Sequence, residues 1–208
     1  MVDGRVLRGE RTRVAVLDAA IDLAIESGLD GLSLGQLAER LGVSKSGLFA
    51  HWNSKEALQL ATIDRCAQRF TDAVVRPALR APRGVRRLWA LHERHLADIA
   101  GQDQGGCFFK NTQFEFNSRP GAVRDRLVET LAGYHTLLER LIVEAVEQGE
   151  LAAGVSPGQL SFEMNAVVTA AVYESRLLDA DEVLAHARTA TLQRLRGLSP
   201  RPDLLPEE

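Results

Sequence analysis

The sequence predicts an all-α protein: an N-terminal three-helix helix-turn-helix domain followed by a larger helical bundle, about nine helices in all. Three observations carry this. Apolar residues recur three and four apart through almost every stretch of the 208 residues, and no stretch shows the strict alternation of a half-buried strand. Side chains that cap helices, Thr12, Ser33, Ser44, Ser54 and Ser156, stand where such stretches begin. Gly28, Gly42, Pro77 and Gly149 stand where they stop.

The elements follow in order. Thr12 to Glu26 places Val16, Leu17, Ala20, Ile21 and Ala24 at helical spacing, with Gly28 just past the end. Ser33 to Leu41 gathers Leu34, Leu37, Ala38 and Leu41 on one face. Ser44 caps a short helix to about Ala50, and Ser54 caps one from Lys55 toward Arg76, stopped before Pro77. Ala78 to Gly84 reads as a connection, Val85 to Ala100 as a helix, and Gly101 to Gly106 as a loop. Cys107 to Phe116 is short and aromatic but helical in pattern, and Asn117 to Gly121 breaks it. Three helices complete the chain: Val123 to Gln148, Pro157 to about Leu178, and Asp181 to Arg196. The tail with Pro200, Pro202 and Pro206 is expected to fray.

Composition sets the class. The chain is 45% hydrophobic and 25% charged, as a globular protein with a sizeable core is. Its formal net charge of -3 means that any basic surface is local. Cys66 and Cys107 are too far apart to form a metal-ligand or disulfide pattern and are read as buried hydrophobes, with a redox pair as the alternative. No apolar core follows the arginines near the N-terminus, and no window approaches the roughly 20 apolar residues of a membrane span. A cytoplasmic protein is expected.

Ser33 to Lys55, SLGQLAERLGVSKSGLFAHWNSK, carries the sharpest signal. Ala38 is small where two helices must approach. Gly42 can take the left-handed conformation of a tight turn, and Val43 fills the space between the helices. Leu48 anchors the second helix. Lys45, Ser46 and Gly47 face outward near its N-terminus, where helix-turn-helix proteins touch base edges.

From roughly Arg11 to Leu58 the sequence resembles the TetR family of transcriptional regulators, with GVSKSGLFAHWNSKEAL similar to that family's turn, recognition helix and following cap. The resemblance implies DNA contacts. Ser33 and Gln36 would touch phosphate or base, Ser44, Lys45 and Ser46 would enter the major groove, and His51 and Lys55 would hold phosphates. Arg11 would add basic charge. Phe49 stands where the family more often has tyrosine, so it packs on the DNA backbone without a hydroxyl to bond a phosphate. Trp52 stands where phenylalanine is commoner and is read as core.

Other patterns resemble chemistry less well. Gly31-Leu-Ser33-Leu-Gly35 matches G-x-S-x-G but lacks the strand that a nucleophile elbow requires. His92 and His95 are one residue short of a zinc motif, though they share a helix face. No catalytic residue, metal or cofactor is expected, and an all-α metal-assisted enzyme is the rival reading. Regulators of the TetR family usually hold an effector in the C-terminal bundle. The resemblance therefore points to an apolar pocket lined by Trp89, His92, Cys107, Phe108, Phe114, Tyr134 and Met164, with Asn111, Gln113 or Glu115 as polar anchors. The last two long helices are apolar on more than one face and suit a homodimer interface.

The expected organisation is a DNA-binding domain over 1–56 and an effector-binding and dimerisation domain over 57–208. The expected function is a regulator, a repressor in most of the family, that binds a pseudo-palindromic operator as a homodimer and is released by a small apolar effector. A module that has ceased to read DNA is the third alternative.

Overall fold

The computed structural model describes residues 4–49, 51–101 and 107–207, with the side chains of 4–11, 45 and 49 outside that description. Every regular element among the described residues is helical. The helices are α1 (Gly4–Ser27), α2 (Leu34–Leu41), α3 (Lys45–Phe49), α4 (Lys55–Phe70), α5 (Val85–Ala100), α6 (Phe108–Phe116), α7 (Ala122–Glu147), α8 (Pro157–Glu174) and α9 (Ala180–Leu198). None of the described helices is long and apolar enough to cross a membrane.

The chain divides into two compact units: Met1–Arg69 with Cys107–Glu129, and Phe70–Gly106 with Thr130–Glu208. A single cut at 56/57 does not describe this division. Leu58 and Ile63 of α4, Phe108 and Phe116 of α6, and Val123 and Leu127 of α7 are buried with Leu17, Ile21, Leu37 and Leu48 in one core. α4, α6 and the start of α7 thus share the core of the three N-terminal helices. The second unit packs Trp89, Leu91, Leu138, Ile142, Met164, Leu192 and Leu195 together.

Several boundaries differ from the sequence reading, each for a local reason. α1 begins at Gly4, so Thr12 lies inside the helix and does not cap it. The Arg, Leu and Glu residues before Thr12 favour continuation. α4 does not stop before Pro77. It passes through a π-helical turn (Thr71–Val75) into one more α turn (Arg76–Ala78). The wider turn shifts the hydrogen-bond register just where proline has no N–H to give. α8 ends at Glu174, and Ser175 donates its N–H to Ala171. The expected loop over Gly101–Gly106 lies, beyond Gly101, outside the described residues.

The tail is tied down where fraying was expected. Leu205 is buried in the second core, Arg196 Nη1 donates to the Pro206 carbonyl at 2.6 Å, and Ser199 Oγ donates to the Glu150 carbonyl at 2.6 Å. A buried leucine and charge-assisted bonds to backbone outweigh the local preference of a proline-rich segment for open conformations.

Candidate functional site: a nucleic-acid interface

The turn between α2 and α3 is built as a helix-turn-helix requires. Ser33 caps α2 from extended backbone: its Oγ accepts from the Gln36 N–H at 3.2 Å and donates to Gln36 Oε1 at 2.8 Å. Gly42 closes α2 at φ 64°, and the Val43 N–H reaches back to the Ala38 carbonyl at 3.0 Å. Only glycine adopts that backbone without strain, so the sharp change of direction rests on it. Ser44 then caps α3, its Oγ accepting from the Gly47 N–H at 3.2 Å. A Cβ on residue 47 would sit 3.2 Å from that oxygen and crowd the cap.

Leu48 is buried beneath α3, while Ser44, Ser46, Gly47 and His51 are exposed around it. Ser46 Oγ stands 3.4 Å from Ser44 Oγ. Ser54 caps α4 by accepting from the Ala57 N–H at 3.0 Å, which fixes the first turn that carries Lys55. The structure therefore brings Ser44, Ser46, His51 and Lys55 to the turn, helix and cap that sequence predicted. The expected contacts through Arg11, Lys45 and Phe49 fall on side chains outside the described residues. Ser33 and Gln36 already bond one another at the start of α2, so either would reach DNA through its remaining hydrogen-bonding capacity.

Lys55 has a partner that the sequence did not suggest. Its Nζ donates to the Asp30 carbonyl and pairs with Asp30 Oδ1 at 3.2 Å, while Arg119 Nη1 donates to Asp30 Oδ2 at 2.8 Å. The bonds from Arg119 and then Lys55 hold the Asp30 carboxyl below its ordinary pKa. The same α1–α2 turn is gripped from α6. Glu115 accepts the N–H groups of Leu29 and Asp30, both at 2.8 Å, and Gln59 Nε2 donates to the Leu29 carbonyl at 2.9 Å. Glu115 was expected as an effector anchor; its carboxylate is engaged instead with backbone donors of this turn. No local pattern links residues 85 positions apart, so sequence reasoning could not have paired them.

The expected effector residues fall into both units. Trp89 and Met164 are buried in the second core, Tyr134 packs against it, and the His92 ring lies 5.7 Å from that of Trp89. Phe108 belongs to the first core, Cys107 is buried just before α6 in the same unit, and Phe114 is mostly exposed. The second unit adds polar groups to its interior. His95 Nδ1 stands 3.1 Å from the Tyr134 hydroxyl, and His135 Nδ1 stands 2.7 Å from Ser161 Oγ. Burial holds His92 near neutrality, its pKa lowered from 6.5 to about 4, and its Nε2 has no hydrogen-bond partner among the described residues. Among those residues no three His, Cys, Asp or Glu side chains gather as metal ligands would.

Comparison with known proteins gives this geometry a context. Residues 16–62 match the model of the bacterial regulatory proteins of the tetR family, and residues 84–191 match the tetracyclin repressor-like C-terminal domain. The HTH-type transcriptional regulator SrpR of Pseudomonas putida is 24% identical over 166 residues, which are 79% of this chain and 75% of SrpR. A TetR transcriptional regulator from Chloroflexus aurantiacus has a similar solved structure, with a TM-score of 0.81 and 25% identity over 88% of this chain and 93% of that one. AibR, solved with isovaleryl coenzyme A and operator DNA, shares the fold at a TM-score of 0.68 and 21% identity, over 86% of this chain and 97% of its own. With helix-turn-helix and C-terminal region both matched, the chain belongs to the TetR family of DNA-binding transcriptional regulators, which are not enzymes.

Proposed function

We propose that the protein acts in the cytoplasm as a homodimeric repressor of a pseudo-palindromic operator and is released by a small, largely apolar effector. The observation that carries the DNA side is the capped α3, with Ser44, Ser46 and Gly47 exposed at its start and His51 and Lys55 following. One five-residue helix reads too few base pairs for specificity; two related by a dyad read twice as many at a fixed spacing. α8 supports the doubling. Phe162 and Tyr173 lie three turns apart on one face and are mostly exposed, as are Leu177 and Leu178 just beyond. Apolar surface of that kind marks a contact with another molecule, and a second copy is the partner that the operator symmetry requires.

The effector would occupy the second unit about Trp89, His92, Tyr134 and Met164, where aromatic surface and a few fixed polar groups coexist. AibR supports this reading, since the same fold there accompanies both isovaleryl coenzyme A and operator DNA. Effector and operator would weaken one another's binding by the same factor, because linkage is reciprocal.

Two substitutions test the DNA reading. Lys55→Ala is expected to weaken binding about equally on specific and random duplex, and to flatten the salt dependence by about one phosphate. Lys45→Ala, on the reading helix, is expected to weaken the specific duplex most, by about 1–3 kcal/mol if its contact is to a base edge. Fluorescence anisotropy across a salt series reads both. Unchanged affinity in both variants would favour a module that does not read DNA.

A further inference from the structure

We propose that Arg13 is a DNA-phosphate contact and that Trp52 is the positioning residue that holds it. The proposal rests on the DNA-reading function above and adds a site that lies outside the helix-turn-helix itself.

The first observation is a contrast among arginines. In the first unit, Arg40 stands 2.9 Å from Glu26, Arg65 2.8 Å from Asp18, Arg69 3.8 Å from Asp18 and Arg119 2.8 Å from Asp30. Arg124 stands 4.0 Å from Asp125, and Arg126 pairs with Asp64. Arg13 is exposed and meets no carboxylate among the described residues. Its guanidinium lies instead over the Trp52 ring, with Cζ 5.6 Å from the centroid. An aromatic face orients a guanidinium without neutralising it, so the charge and the planar fork of donors stay available to an anion.

The second observation concerns the ring beneath. Trp52 is buried, with its N–H bonded to the Leu48 carbonyl at 3.0 Å, so it is fixed to the end of α3. Its indole Nε1–H is buried without an acceptor among the described residues. That donor is sealed from solvent and lies in the ring plane, so it takes no part in binding an anion beside the guanidinium above the ring face. The exposed His51 ring lies 5.7 Å from the Trp52 ring. An exposed guanidinium and an exposed imidazole thus meet at one indole, directly after the helix that would enter the groove. That set suits an oxyanion of the DNA backbone. It carries no base code, since phosphate is the same at every step. Tryptophan is also the aromatic side chain that holds a cation best, which gives a reason for its place where the TetR family more often has phenylalanine.

The test is a salt titration of duplex binding with the full-length protein, using one duplex that the wild type enriches from a random pool and one random duplex. Wild type, Arg13→Ala, Arg13→Lys and Trp52→Phe are compared after their melting curves have been matched. Loss of one phosphate contact lowers the slope of log K against log salt by about 0.9, which corresponds to about eightfold weaker binding at 0.1 M salt and none at 1 M. Arg13→Ala is expected to show that loss on both duplexes. Arg13→Lys should recover the slope but only part of the affinity, because an ammonium lacks the stacking fork. Trp52→Phe should weaken binding with a lowered slope. A wild-type slope in Arg13→Ala, while wild type binds DNA, would overturn the proposal. A wild-type slope in Trp52→Phe would overturn the positioning role. Absence of DNA binding by wild type would instead overturn the function on which the proposal rests.

Discussion

Glu115→Ala is expected to destabilise the first unit by about 2–3 kcal/mol, a large share of a typical domain's stability. The carboxylate accepts two backbone N–H groups of the α1–α2 turn at 2.8 Å, and Leu29, which carries one of them, is fully buried. Alanine leaves the buried Leu29 donor without a partner, gives the exposed Asp30 donor to water, and removes a charge-assisted bond from each. Glu115→Gln retains one good acceptor oxygen and should cost roughly half as much. Gly28 belongs to the same contact. It sits at φ +83°, and a Cβ there would come 3.0 Å from Glu115 Oε1, so Gly28→Ala should be costly on its own and less so in a Glu115→Ala background. Because Lys55 and Arg119 bind Asp30 on this turn, Glu115→Ala should weaken DNA binding as well as lower the melting temperature. Thermal melts of the singles and the double measure the coupling. Additive losses would mean that Glu115 and Gly28 act independently.

The second large effect is acid sensitivity through His92. Its imidazole is buried, and the cost of desolvating the charged form lowers its pKa from 6.5 to about 4. The unfolded chain therefore takes up a proton that the folded chain refuses between those values. Stability is fully present above about pH 6.5 and falls as the pH drops toward 4, by up to about 3 kcal/mol from this one group. His92→Gln cannot titrate but keeps an N–H that can face the Ala187 backbone, the hydrogen-bond partner that partly offsets the burial. Urea unfolding at pH 7.5 and at pH 4.5 should show a large acid loss in wild type and a smaller one in His92→Gln. Equal losses would assign the acid sensitivity to other groups.

Much of the helix-turn-helix was legible because its determinants are local. Ser33, Gly42, Ser44 and Ser54 act on backbone within three or four residues, and Leu34, Leu37 and Ala38 face one way at the spacing a helix imposes. The rest depends on residues far apart in the chain. Nothing near Asp30 announces Arg119, and nothing near Leu29 announces Glu115. Phe108 reads as pocket lining because aromatics cluster in sequence there, but it is buried in the core that also holds Leu17, Ile21 and Leu127. Pro77 misled in the opposite direction: proline normally ends a helix, and only a change to π bonding let α4 continue. The tail misled because its composition favours openness while Leu205 finds a core. Trp52 was read as core, which it is. Its second part, holding Arg13, depends on a contact between α1 and the end of α3 that no local spacing encodes.

The central claim is that two copies of α3 read a symmetric site. Selection of bound duplex from a random pool by the full-length protein, followed by sequencing of the enriched pool, tests it most directly. The account predicts two inverted half-sites at one fixed spacing, about a helical turn or more apart from centre to centre. Enrichment of a lone half-site would contradict the dimer, and failure to enrich any sequence would contradict DNA reading by α3.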